Sequence, residues 1–456
     1  MSNLSPLELS FFAMESNSRP MHAGGLMLFD SPPDGDTAAL ISTVMKSFRT
    51  TEPVTPWNRR PAFGLRSLPH WVTVDEVDLT YHVRRVTVSA PGSFQQLMEL
   101  VTHLYPALLD RSRPLWETYV IDGLEGGQLA VFVKAHHSLA DGVGGLKMFY
   151  GSLSVSPDDD PRPVWGPAPV RSRRSKKPKP AGKPQVSGIG RLLKVPGALA
   201  QVVPDVVNLA RQGTAPPFRA AKMPAMAAQI SSARSFAAFD LPLPEVKAIG
   251  KAFAGTVNDV VLSICDDAMR RYTDKAGGSD GRPMIALLPV STRREGETAS
   301  NAAGATLVRL GESSASPDER LKQIVAATTR AKAAMRNASP IAIQLQALSM
   351  LGCMELREQL PVARGWVPNV ANFTLSNVPG APPTELYLGR AQMTGMYATP
   401  IVSGSNAANF TLIPYLDTLC VGIGAARNVI PDTARLAELA VLAFEDLKSY
   451  SLANTE

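Results

Sequence analysis

The 456-residue chain holds only three cysteines, Cys265, Cys353 and Cys420. Their wide spacing offers no metal-ligand pair and no even count for a disulfide framework, so neither staple is expected and a reducing cytoplasm fits. No run of eighteen apolar residues occurs, which leaves no candidate transmembrane helix. The start, Met1-Ser2-Asn3-Leu4-Ser5-Pro6, lacks the basic and apolar stretches of a secretory signal. No serine or cysteine sits in a Gly-x-Ser-x-Gly elbow, so a covalent acyl-enzyme is not indicated. A repeat of fixed period is also missing, which argues against a solenoid.

What is present is an ordinary globular composition, 45% hydrophobic and 19% charged, on a chain long enough for two domains. The net charge of +6 is localised. Of 46 basic residues, seven (Arg171, Arg173, Arg174, Lys176, Lys177, Lys179, Lys183) lie in one short stretch without an acidic residue. The other 39 face 40 acidic residues, so a nucleic-acid groove spread over the fold is not supported. Prolines and Asp158-Asp159-Asp160 accompany the basic run, and the segment reads as a linker. The expected organisation is therefore a first lobe over 1–154, a Pro-rich basic linker over 155–185 and a second lobe over 186–456.

Each half mixes strand and helix signals, which places the chain in the α/β (α+β) class. Ser93 can cap a helix whose apolar positions are Phe94, Leu97, Val101 and Leu104, with Pro106 ending it. Leu129–Ala135, Met284–Val290 and the runs around 410–412 and 419–421 read as strands. Asn258–Tyr272 and Asp432–Tyr450 read as helices.

The strongest chemical signal follows the strand at 129–135: His136-His137-Ser138-Leu139-Ala140-Asp141-Gly142. Two of only six histidines stand together at a strand end that feeds a glycine-containing loop. Strand alternation puts His137 on the face of Val131, Val133 and Ala135, and His136 on the opposite face with Phe132 and Lys134. That parity points His137 towards the interior. A neutral imidazole can take the proton of an attacking alcohol and return it to a leaving thiolate. Asp141 suits an ion pair that holds the loop, and Gly142 a tight turn.

The motif His-His-x-x-x-Asp-Gly resembles that of the chloramphenicol acetyltransferase-like acyltransferases. Further blocks narrow the resemblance to the bacterial wax ester synthase/diacylglycerol acyltransferase family, in its actinobacterial triacylglycerol synthase branch. These are Leu4-Ser5-Pro6-Leu7-Glu8, Pro20-Met21-His22-Ala23-Gly24-Gly25, Leu109–Glu117 with Pro114-Leu115-Trp116, Asn258-Asp259, Pro289–Arg293 and Asn372–Gly380. Glu8 departs from the family's usual Asp. The resemblance implies two chloramphenicol acetyltransferase-like lobes, each with a mixed sheet, joined by a crossover, with the site in a channel between them. It implies His137 as proton acceptor, His136 as a supporting residue, acyl-coenzyme A as co-substrate, and diacylglycerol or a long-chain alcohol as acceptor. No cofactor and no metal are expected.

The remaining candidates carry two readings each. Thr256-Val257-Asn258-Asp259 satisfies a helix-capping pattern, whereas the site reading sets Asn258 by the thioester oxygen as an amide donor. Arg293 is either a solvated arginine or the partner of Asp141. Ser376 and Asn377 belong to a turn after a strand, or line the channel. Trp116 reads as a packing anchor. The basic run is either a solvated tether or a contact with anionic lipid, and the apolar segment from Ile189 to Val207 suits a lobe surface or a membrane interface. Insoluble substrates imply peripheral contact with the inner face of the membrane or with lipid inclusions. Two other functions stay open: an enzyme using a carrier-bound acyl donor, and a catalytically silent lipid-binding homologue.

Overall fold

The computed structural model describes residues 2–64, 67–139, 142–167, 220–226, 228–274, 277–291, 303–338, 340–360, 362, 367, 369–378, 380, 383–402 and 406–453. Two six-stranded mixed sheets organise them.

The first sheet runs in the order β12 (Tyr387–Leu388), β13 (Ala391–Thr399), β2 (His22–Phe29), β7 (Leu129–His136), β6 (Trp116–Asp122), β5 (Val83–Thr87). Its pairings are antiparallel except for β5 with β6. The second runs β10 (Ala303–Arg309), β9 (Ile285–Ser291), β11 (Phe373–Asn377), β14 (Ala408–Tyr415), β15 (Thr418–Ala426), β8 (Arg234–Pro242). Here β11 lies parallel to both neighbours. A small third sheet joins β1 (Ser2–Asn3), β4 (Ser67–Thr73) and β3 (Arg59–Gly64).

Helices form where apolar residues recur every three or four positions. On α2 (Thr37–Thr50), Leu40, Ile41, Val44 and Phe48 are buried, and the Asp36 side chain caps its start. The helix anticipated after Ser93 is α4 (Phe94–Leu104): the Ser93 side chain accepts from Gln96 N, and Gln96 bonds back to Ser93 N. These two elements, with α1 (Pro6–Met14), α3 (Leu79–His82) and α5 (Gly142–Ser152), belong to the first lobe. The second carries α6 (Leu243–Ala252), α7 (Val257–Asp274), α8 (Pro317–Asn337), α9 (Pro340–Gln359) and α10 (Thr433–Ala453). No single described helix is long and apolar enough to cross a membrane.

Two features depart from the organisation expected from sequence. Strands β12 and β13 come from the second half of the chain yet complete the first sheet, β13 pairing with β2 from Met393 to Thr399. Part of the expected linker is packed, from Pro161 to Trp165. Trp165 is fully buried, stacks on Trp116 at 4.6 Å and donates its indole N–H to Thr51 O. An indole with a satisfied N–H stabilises a core strongly, so Pro161 to Trp165 packs with the first lobe, whereas Val155 and Asp158 to Asp160 are exposed. The basic run at 171–183 and the segment 189–207 lie outside the described residues.

Glycines let the lobes close on each other. A Cβ on Gly422 of β15 would collide with the carbonyl oxygen of Ala398 on β13, and one on Gly424 would press on Pro400. Buried polar groups then bridge the seam. Tyr105 OH donates to His22 O and Pro400 O, and Arg234 donates to Ser18 O and Val402 O.

Candidate active site

The histidine motif sits where β7 leaves the first sheet. Its backbone is tied to two neighbouring segments: His136 N donates to Leu115 O at 2.9 Å, and His137 N to Met21 O at 2.8 Å. The Pro-Leu-Trp and Pro-Met-His blocks thus meet the histidines through main-chain bonds. Trp116 is the packing anchor expected, fully buried, stacked between His82 and Trp165 and donating to Trp57 O.

The parity argument for the two rings is corrected by the structure. The strand ends at His136, and a turn closed by Leu139 N to His136 O takes over. His137 therefore leaves the strand alternation. His136 is the more buried, at 1% exposure, while His137 is only half-buried with its ring 4.8 Å from Phe11.

His136 is held on every side. Its ring stacks on Phe12 with centroids 4.6 Å apart, and Nδ1 accepts from Ser138 N at 3.2 Å and lies 2.6 Å from Ser138 Oγ. Accepting at Nδ1 puts the ring proton on Nε2, which faces Glu15 Oε1 at 3.4 Å. Glu15 in turn accepts from Arg111 at 2.7 and 3.1 Å and from Met21 N. Burial alone would raise this carboxyl, but His136 and Arg111 outweigh it and bring its pKa down to about 2. Sequence reasoning missed Glu15. Its partners come from distant segments, and no local pattern marks it.

Behind this corner lie two further buried polar groups. His22, which pairs with His136 across β2 and β7, accepts no solvent, and its Nε2 lies 2.6 Å from Tyr105 O. Burial, aided by the Lys134 ammonium, lowers its pKa to about 3, so the ring is neutral. Lys134 is itself buried, with Nζ 3.1 Å from Glu117 and bonded to Leu104 O and Ala107 O. Burial pushes the ammonium pKa down, and Glu117 opposes that shift.

The second-lobe candidates form a separate group. Asn377, at the end of β11, donates Nδ2 to Asn258 Oδ1 at 2.6 Å, so two residues distant in sequence become a pair at the start of α7. Asn258 is half-buried and Asn377 exposed. Asp259 takes the capping role: its carboxylate is buried and accepts from Thr256 N, Thr256 Oγ1 and Thr328 Oγ1, each at 2.7 Å. Ser376 is half-buried on β11, paired in register with Thr411. Gly142 opens α5. Asp141 and Arg293 lie outside the described residues.

The chain matches the wax ester synthase/diacylglycerol acyltransferase catalytic domain over residues 4–261 and the corresponding C-terminal domain over 299–448. It is 36% identical to a probable diacylglycerol O-acyltransferase, Tgs4, of Mycobacterium tuberculosis, covering 98% of this chain and 97% of that protein. The solved wax ester synthase/diacylglycerol acyltransferase of Marinobacter aquaeolei VT8 superposes with a TM-score of 0.76 at 28% identity, covering 99% of this chain and 100% of that one. The first condensation domain of the calcium-dependent antibiotic synthetase shares the fold alone, with a TM-score of 0.60 at 15% identity over 98% of this chain and 97% of that one. With both domains matched in order across nearly its whole length, this acyltransferase chain belongs to the wax ester synthase/diacylglycerol acyltransferase family.

Proposed function

We propose that the protein transfers the acyl group of acyl-coenzyme A to the free hydroxyl of diacylglycerol, making triacylglycerol, with long-chain alcohols as a second acceptor class. The observation that carries this reading is the asymmetry of the histidine pair, one ring buried and clamped and the other half-buried at the strand end. A general base has to reach substrate, which suits His137; His136 and Glu15 then serve as positioning residues. His137 removes the alcohol proton as the oxygen attacks the thioester carbon. The C–S bond breaks, and the leaving thiolate takes the proton back from the imidazolium. With its Oδ1 engaged by Asn377, Asn258 offers its amide N–H to the developing oxyanion. Lipid acceptors require the enzyme to work in peripheral contact with a membrane or lipid inclusion on the cytoplasmic side.

Product analysis by thin-layer chromatography tests the proposal, with diacylglycerol and a long-chain alcohol offered in competition. Triacylglycerol should dominate; a mainly wax-ester product reverses the order of acceptors. His137→Ala should lose roughly 10²–10⁴-fold in kcat. Wild-type turnover in that variant would remove His137 from the proton path. A carrier-bound donor used in preference to the coenzyme A thioester would replace the donor assignment.

A further inference from the structure

Helix α1 has an unusual position for its composition. Its sequence, Pro-Leu-Glu-Leu-Ser-Phe-Phe-Ala-Met, is apolar on nearly every side, the pattern of a helix surrounded by core. Yet of its described side chains only Phe12 is buried: Leu9, Phe11 and Met14 are half-buried, Ala13 is open and Leu7 is 37% exposed. Beside it stand Phe63 and Leu68 of the β3–β4 hairpin, 49% and 72% exposed. Trp71 of β4 ties the hairpin to α1 by donating to Glu8 Oε1 at 3.1 Å.

This apolar face is continuous with the histidine corner. Phe12 stacks on His136 and touches Phe63 edge-on at 5.3 Å, while Phe11 lies against His137. One layer of aromatic rings thus separates the exposed hairpin from the motif. The charge of the hairpin is of one sign: from Arg59 to Thr73 the sequence includes Arg59, Arg60 and Arg66 and no Asp or Glu. Exposed large apolar side chains beside cationic ones match the boundary of an anionic lipid surface, where chains lie next to headgroup phosphates.

We infer that α1 and the β3–β4 hairpin are the face by which the protein docks on an anionic membrane leaflet, and that the lipid acceptor reaches His137 past Phe11 and Phe12. The inference rests on the acceptor being a lipid, and it assigns the contact to a surface far in sequence from the basic run at 171–183.

Vesicle flotation of the full chain tests it, using phosphatidylcholine mixed with phosphatidylglycerol. Removing two buried apolar side chains from a lipid contact, in the double variant Phe63→Ser, Leu68→Ser, should weaken vesicle binding tenfold or more with an unchanged melting temperature. For a direct readout, Leu68→Cys in a Cys353→Ser background carries an environment-sensitive dye, Cys265 and Cys420 being buried. Its emission should shift to the blue when vesicles are added. Flotation equal to that of the parent, or a dye that does not respond, overturns the proposal. Binding lost only when the basic residues of 171–183 are neutralised also overturns it, as does a concentration-dependent dimer abolished by the double variant, which would assign the face to a second copy. Flotation needs no turnover, so its result stands whether or not diacylglycerol proves to be the acceptor.

Discussion

Glu15 and Asp259 are both buried carboxylates beside candidate site residues, and they are satisfied in opposite ways. Asp259 is met by Thr256 three residues before it and by Thr328 from α8, all neutral donors. Glu15 is met by Arg111, by His136 and by Met21 N, so it joins α1, β7 and the loop before Trp116 through charge. The first fastens a helix start. The second fixes the ring next to His137 and cannot be removed without leaving the buried Nε2 of His136 facing no oxygen.

The comparison breaks most sharply under substitution. Glu15→Ala should destabilise by about 3 kcal/mol in denaturant titration, because the buried His136 Nε2 and Met21 N lose the oxygen they face and the exposed Arg111 loses its charge partner. Asn258→Ala comes next: about 10²–10³-fold in kcat with little change in stability, as expected for an oxyanion donor that is only half-buried. A stability loss without a kcat loss would make Asn258 a cap like its neighbour. Asp259→Ala should cost about 1–3 kcal/mol, the penalty for unsatisfied buried donors. If it costs as much as Glu15→Ala, charge is not what separates the two corners.

The pH profile separates two of these buried groups without removing a contact at neutral pH. His22 ionises at an ordinary 6.5 when unfolded and about 3 when folded, and Glu15 at 4.5 and about 2. Both folded values are depressed, so the stability these groups contribute is full above the unfolded values and is lost as pH falls. His22 weakens the fold from about pH 6.5 down to 3, and Glu15 from about 4.5 to 2. Urea midpoints of His22→Asn should be flatter across the upper window, and those of Glu15→Gln across the lower; unchanged slopes would place the acid sensitivity elsewhere.

These two corners also show what the sequence could disclose. The capping pattern Thr256-x-x-Asp259 is local, and so is the strand that delivers the histidines; both were legible because four or eight consecutive residues contain the whole interaction. The Asn258–Asn377 contact was not legible as a pair, although both residues were singled out, since 119 residues separate them. Glu15 left no trace because its meaning lies entirely in partners brought by the fold. The ring assignment failed in direction for a simpler reason: alternation holds only while the strand does, and β7 ends one residue before His137. The linker reading failed at 161–165, where its prolines outweighed a single Trp165.

The passage of β13 into the first sheet has a consequence for how the chain is made. By the time His136 leaves the ribosome, β2, β5, β6 and β7 exist, but the strand that covers the free edge of β2 ends at Thr399. At typical synthesis rates those intervening residues take roughly 13–50 s. For that interval the newborn first lobe carries an open, apolar strand edge, the feature most prone to wrong pairing. The lobe that carries the histidines can be translated first, but it is finished last.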